Sequence, residues 1–252
     1  MRIVQISDSH IYAEPGKRLG GIDTRASFTT VLEAAVAGGA ADLLMLTGDN
    51  SMDGSAASYK WLARKLHEVD LPMAVLAGNH DEPDEWGALS DSVCQTPQVL
   101  RSADGWCVIG LTTRVTDQAY GQLSLRELQA FDSLLATQTA DHVLVAMHHP
   151  PVAVGSEWID RIGLRTQEKF WSVIERYPNV RAVMCGHVHQ NVDRYVGSVR
   201  VLATPSSCAQ FEPRAKQFSF DRRRPGFRVF ELSADGRIET AVIRVADDAL
   251  RY

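Results

Sequence analysis

Six short apolar runs punctuate the chain: RIVQIS from residue 2, DLLMLT from 42, PMAVLA from 72, WCVIGLT from 106, HVLVAMH from 142 and VRAVMC from 180. None alternates cleanly between apolar and polar positions, so each predicts a strand buried on both faces. Between the runs the apolar period lengthens to that of a helix. Phe28, Val31, Leu32 and Ala35 fall at i, i+3, i+4 and i+7, as do Phe170, Val173, Ile174 and Tyr177. Tyr59, Leu62, Leu66 and Val69 form a similar stripe. Ser124 and Glu127 read as a capping box opening a helix that carries Leu125, Leu128, Phe131 and Leu135. After residue 190 the pattern becomes that of hairpins, with turns expected at Gly197-Ser198 and Asp235-Gly236. Strands alternating with helices, then antiparallel strands, predict an α/β or α+β layered fold in one domain over residues 1–252. One long irregular stretch, from about Pro205 to Gly226, is expected to be functional or mobile.

With 252 residues, 45% of them hydrophobic, the chain could build one large core or two small ones. Its formal net charge of −5 disfavours broad contact with nucleic acid, so any phosphate must be held at a local positive site. No apolar stretch is long enough to span a bilayer, and the first residues enter a strand pattern without a leader. A cytoplasmic protein with no membrane or nucleic-acid partner is expected. Cys94, Cys107, Cys185 and Cys208 lack paired spacing and read as free thiols.

The chemistry lies at the ends of the apolar runs. RIVQIS leads into Asp8-Ser9-His10, DLLMLT into Gly48-Asp49-Asn50, and PMAVLA into Gly78-Asn79-His80-Asp81. HVLVAM leads into His148-His149-Pro150, and VRAVMC into Gly186-His187-Val188-His189. Ligands of open α/β sheets bind outside the carboxyl ends of strands, and a glycine there lets the backbone turn and bring the next side chain inward. His187 and His189, two apart, would point the same way on extended backbone. Six of the 8 histidines lie in these junctions; His67 and His142 read as surface or core residues. Asp8, His10, Asp49, Asn79, His148, His187 and His189 are too many donors for one tetrahedral ion but suit two ions sharing a carboxylate.

These motifs, in this order, resemble the signature of the calcineurin-like metallophosphoesterases. LGGIDTRASF, GNHDEP, HHPP, CGHVHQ and LATPSSCAQFEP further resemble the bacterial class III 3′,5′-cyclic-AMP phosphodiesterases. The resemblance implies a four-layer α/β/β/α sandwich with two divalent ions, iron or manganese first, with zinc or cobalt as alternatives. One ion would take Asp8, His10, Asp49 and His189, the other Asp49, Asn79, His148 and His187. A hydroxide bridging the ions would attack phosphorus and release 5′-AMP, with Asn79 stabilising charge and His80 protonating the leaving oxygen. Related phosphodiesterases or phosphatases acting on glycerophosphodiesters or other nucleotides share this core and remain an alternative. Family members include dimers, so a monomer or a homodimer is expected.

Other residues carry two readings each. Asp81 could orient the His80 ring or cap a helix before Pro83. His149 could support the site or simply end a strand, and Asn50 and Asp53 could only shape the turn. Phe211 could stack on adenine or pack internally. Arg222, Arg223 and Arg224 could steer a nucleotide or form a solvated turn.

Overall fold

A computed structural model describes residues 1–87, 89 and 97–245. Its elements run in the order β1 (Arg2–Ile6), β2 (Arg18–Leu19), β3 (Ile22–Asp23), α1 (Thr24–Ala37), β4 (Leu43–Thr47), α2 (Ala56–Leu66) and β5 (Met73–Leu76). There follow β6 (Gln98–Ala103), β7 (Trp106–Gly110), α3 (Leu125–Thr137), β8 (His142–Ala146), α4 (Glu157–Asp160) and α5 (Gln167–Ile174). The chain continues through β9 (Val180–Cys185), β10 (Val192–Val196), β11 (Val199–Ala203), β12 (Gln210–Phe211), β13 (Phe220–Asp221), β14 (Gly226–Leu232) and β15 (Ile238–Arg244).

Two large sheets result. One has the order β15-β14-β1-β4-β5, the other β10-β11-β9-β8-β7-β6. Within them β1, β4 and β5 are parallel, as are β7, β8, β9 and β11. Each strand divides its side chains between two cores, which is why its sequence reads as an unbroken apolar run. Ile3, Leu43, Met45 and Leu76 of the first sheet meet Val108, Leu144, Ala146 and Met184 of the second in a central core. The alternate residues Val4, Leu44, Leu46 and Val75 pack outward against Phe28, Val31 and Leu32 of α1 and Tyr59, Leu62 and Leu66 of α2. Ile109, Val143, Val145 and Val183 likewise pack against Leu128 and Phe131 of α3 and Phe170 and Ile174 of α5. Three apolar interfaces therefore separate four layers, α/β/β/α, as the resemblance implied.

The helix starts follow local chemistry. Asp23 caps α1 by accepting from Arg25 N and Ala26 N, and Ser124 with Glu127 forms the full capping box of α3. The Gly197-Ser198 hairpin forms as read, and the second hairpin closes through Gly236 N donating to Ser233 O. Several short elements were absent from the sequence reading. Strand β6 pairs antiparallel with β7 through an irregular register, and β2–β3 and β12–β13 are two-residue ladders. Tyr177 and Val69 fall just beyond the helices whose stripes they extend. Cys107, Cys185 and Cys208 are buried free thiols, whereas Cys94 lies outside the described residues. Among the described residues no helix is long and apolar enough to cross a membrane.

Candidate metal centre

The parallel strands of both sheets point their carboxyl ends to one place, so the loops after β1, β4, β5, β8 and β9 converge. Backbone pairing continues beyond the strands and stitches these loops together. Asp8 N donates to Gly48 O (3.0 Å), His10 N to Asp49 O (2.9 Å) and Gly186 N to His148 O (3.0 Å). Asp8, His10, Asp49, His187 and His189 all adopt positive φ, between 47° and 68°. Left-handed backbone costs non-glycine residues on the order of 1–3 kcal/mol each and persists where the surroundings over-determine it, typically at functional sites. His187 and His189 thus converge through a left-handed turn, with Val188 N donating to Gly186 O, rather than through the pleat of extended backbone.

The three glycines serve two purposes. Gly48 has φ +99° and is required conformationally. Gly78 and Gly186 need no such conformation; they are glycines because space is lacking. A Cβ on Gly78 would lie 2.2 Å from Asp49 Oδ1, and one on Gly186 would lie 2.0 Å from Ser7 Oγ.

All seven expected donors come together, buried or nearly so. His10 Nε2 and His189 Nε2 are 3.1 Å apart, with His189 Nε2 3.4 Å from Asp8 Oδ1 and His10 Nε2 3.7 Å from Asp49 Oδ2. On the other side His148 Nε2 lies 3.5 Å from Asp49 Oδ2 and 3.2 Å from Asn79 Oδ1, which is 3.0 Å from His187 Nδ1. The outer nitrogens of two rings are anchored: His148 Nδ1 pairs with Thr47 O (2.7 Å) and His189 Nδ1 with Ala209 O (2.6 Å). That fixes the tautomer so that both Nε2 lone pairs face inward, as a carbonyl behind the ring does for metal-binding histidines. His10 Nδ1 and His187 Nε2 are buried without any partner. Inward lone pairs with two carboxylates fit divalent cations, and Asp8–His10–His189 and Asp8–Asp49–His148 are both compact enough to hold one.

The electrostatics agree. Burial drives His10 down to about 3 despite the opposing Asp49 carboxylate, and burial with the neighbouring His149 holds His187 well below its usual range. Both are therefore neutral imidazoles. Burial opposes ionisation of Asp49, but His148 and His10 outweigh it and hold this carboxyl well below the usual range. His148 is the reciprocal case: burial works against its cation, yet Asp49 lifts it to about 9. Such a proton takes the place of metal charge and is released when metal binds.

The surrounding residues resolve the open readings. Asp81 neither holds the His80 ring nor caps the short helical turn Pro83–Glu85, whose cap position is Glu82. Its buried carboxylate accepts instead from Asn50 N, Asn50 Nδ2, Ser51 N, Gly78 N and the Tyr59 hydroxyl, at 2.9–3.1 Å. It ties the Asp49 loop to the Asn79 loop, and burial together with Asp49 raises it to about 6. His149 is fully buried, with Nδ1 on Thr113 Oγ1 (2.8 Å) and Nε2 donating to Ala119 O (3.2 Å). It anchors the 113–121 loop against the centre, its ring edge-on to His148 and tilted against His187. Asn50 and Asp53 do shape the turn, Asp53 by accepting from Ala13 N and from Ser51 and Ser55. His67 and His142 pair with Ala63 O and Ala234 O, away from the site. Arg222, Arg223 and Arg224 are exposed, Arg223 paired with Asp221, and do not line the cavity.

Sequence reading missed the outer support. The Pro205–Gly226 stretch is a wall of the site: Ser206 Oγ donates to Asp8 O (2.7 Å), and Ala209 O receives His189. Gln5 Nε2 bridges the sheets beneath it, donating to Thr47 Oγ1 and Cys185 O. The only available signal was a buried-strand position occupied by glutamine. His80 stands at the cavity wall with its ring 5.0 Å from His10, and its backbone N–H donates to Asp49 Oδ1 (2.9 Å). The cavity, about 230 Å³, is floored by His10, Asp49, Asn79, His187 and His189.

A calcineurin-like phosphoesterase family model matches residues 1–191. A relative from Pseudomonas aeruginosa named 3′,5′-cyclic adenosine monophosphate phosphodiesterase CpdA is 37% identical over 246 residues, covering 97% of this chain and 90% of its own. One from a Nostoc species named 3′,5′-cyclic-nucleotide phosphodiesterase is 38% identical over 248 residues, covering 96% of this chain and 92% of its own. Among solved structures, a dimetal phosphatase from Danio rerio superposes with a TM-score of 0.69 at 13% identity, over 97% of this chain and 99% of that one, and so shares the fold. With its strand-end motifs brought together on that fold, the chain belongs to the calcineurin-like phosphoesterase family.

Proposed function

We propose that this chain is a phosphodiesterase that hydrolyses 3′,5′-cyclic AMP to 5′-AMP, using the seven converging donors as a dinuclear metal centre. The observation that carries the reading is the convergence itself, with inward-facing imidazole lone pairs locked from behind by Thr47 O and Ala209 O. Relatives matching over nearly the whole chain carry names of this activity. Asp8, His10 and His189 would hold one ion, and Asn79, His148 and His187 the other, with Asp49 shared. Iron or manganese is the first choice, and zinc or cobalt accepts the same donors.

When bound, such a pair of ions supplies Lewis acidity to the phosphate and lowers the pKa of the attacking water. The residues then do the rest. The anchored His148 and His189 rings cannot swing away, so the floor keeps its shape. Asn79 turns its carbonyl oxygen towards His148 and His187, leaving its amide nitrogen to donate to a phosphate oxygen. His80, partly exposed at the cavity wall, gives its proton to the 3′ oxygen as water oxygen bonds to phosphorus and the P–O3′ bond breaks. Asp8 and Asp49 are the two carboxylates of the floor, too few to cancel the charge of two divalent ions, so the loaded pocket would be positive and would draw a phosphate.

Manganese- or iron-loaded protein should convert cyclic AMP to 5′-AMP, followed by chromatography of the products. Turnover of glycerophosphocholine or a phosphomonoester without turnover of cyclic AMP would replace this reading with the related-phosphoesterase alternative.

A further inference from the structure

The cavity has two unlike walls. Adjoining the candidate donors stand four aromatic rings, Trp158, Phe211, Phe218 and Phe220, with aliphatic side chains beside them. Phe218 is 54% exposed and Phe220 38%, although both lie beside a polar centre that folding alone would not surround with bare rings. The wall is seated firmly. Phe220 packs on Gly20, where a Cβ would come 2.9 Å from its ring. Phe211 stacks face to face on His189, with centroids 3.8 Å apart and planes 9° apart, so that face cannot receive a base. Trp158 and Phe218 then meet Phe211 edge-on, at 5.0 and 5.4 Å, and each other at 5.1 Å.

A ligand whose phosphate sits on the donors therefore meets aromatic surface with its remaining portion. Aromatic side chains hold flat π-systems by stacking, with large contact area and little ordering cost. The geometry points to Trp158 and Phe218 as the subsite for the purine base of the nucleotide, with Phe211 as the buttress that positions both them and His189. This assignment rests on the proposed reaction and names the part of the substrate that the reaction leaves unread.

The test compares cyclic AMP with ribose 3′,5′-cyclic phosphate, which lacks the base, on wild-type, Phe218→Ala and Trp158→Leu protein. Loss of base stacking should cut the ratio of kcat/KM for the two substrates by at least about fivefold in either variant, through KM for cyclic AMP and not through kcat. Leu125→Ala, an exposed apolar truncation on α3, should leave the ratio unchanged. Because Phe218 is exposed, its variant decides the matter even if Trp158→Leu does not fold. An unchanged ratio in Phe218→Ala, or a loss confined to kcat, overturns the subsite. Failure of wild-type protein to cleave either cyclic phosphate would instead overturn the proposed reaction.

Discussion

Gly78→Ala tests the packing of the centre with the smallest available change, one methyl group. Gly78 has an ordinary φ, so alanine could adopt its backbone conformation. The obstacle is the Asp49 carboxylate and backbone. The added Cβ would sit 2.2 Å from Asp49 Oδ1, 2.3 Å from Asp49 N and 2.8 Å from its Cγ, where ordinary contact begins near 3.4 Å. A gap of roughly 1 Å has to open, and overpacking of this kind costs about 1–3 kcal/mol or more. Asp49 cannot retreat freely, because Oδ1 accepts from His80 N and its backbone oxygen from His10 N. A misplacement of about 1 Å at a reacting centre is worth about 10²-fold in rate. The variant should therefore lose at least about 100-fold in kcat/KM for cyclic AMP, with a Tm lowered by roughly 2–12 °C. Gly197→Ala is the matched comparison, since Gly197 has φ +57° with nothing within 4 Å of the added Cβ. It should cost about 1 kcal/mol of stability and leave turnover within twofold. Wild-type turnover in Gly78→Ala, or equal losses in the two variants, would mean that Asp49 yields to the methyl group without disturbing the centre.

Asp81→Asn replaces one carboxylate oxygen with a donor aimed at other donors, so it should cost about 1–3 kcal/mol in urea unfolding and loosen metal binding without touching the cavity. His149, held down to about 3 by burial and by His148, binds a proton in the unfolded chain near 6.5 but not in the folded one. Its contribution is complete above pH 6.5 and is lost as pH falls towards 3, by on the order of 5 kcal/mol. His149→Gln should flatten the stability profile across that window, and an unchanged slope would contradict the assignment. His80→Ala should lower kcat by at least about 100-fold while metal content stays at the wild-type level, measured by elemental analysis. Parallel loss of metal and rate would make His80 a ligand instead.

The layered fold was readable because strands buried on both faces and helices buried on one leave different periods. Strand β6 escaped because Arg101 interrupts its apolar run and its register against β7 is irregular. The ladders β2–β3 and β12–β13 are too short for any period to show. The candidate ligands were legible because oxygen and imidazole groups follow five buried runs. Their supports were not, since they act largely through backbone atoms: Thr47 O and Ala209 O carry no side-chain signature. Asp81 was misread for the same reason, as three of its five donors belong to Asn50 and Ser51, 30 or 31 residues away, and a fourth is the Gly78 backbone N–H, whose position only the fold determines. Phe211 was singled out, but the fold gives its ring face to His189 and leaves the open aromatic surface to Trp158 and Phe218.

The proposed mechanism depends on two ions sharing Asp49. Protein stripped with a chelator and titrated with Mn²⁺ should bind two ions per chain and show the electron paramagnetic resonance signal of an exchange-coupled pair, as expected for ions about 3.5–4 Å apart. Saturation at one ion or none, or two ions with uncoupled signals, would mean that Asp49 does not bridge a metal pair.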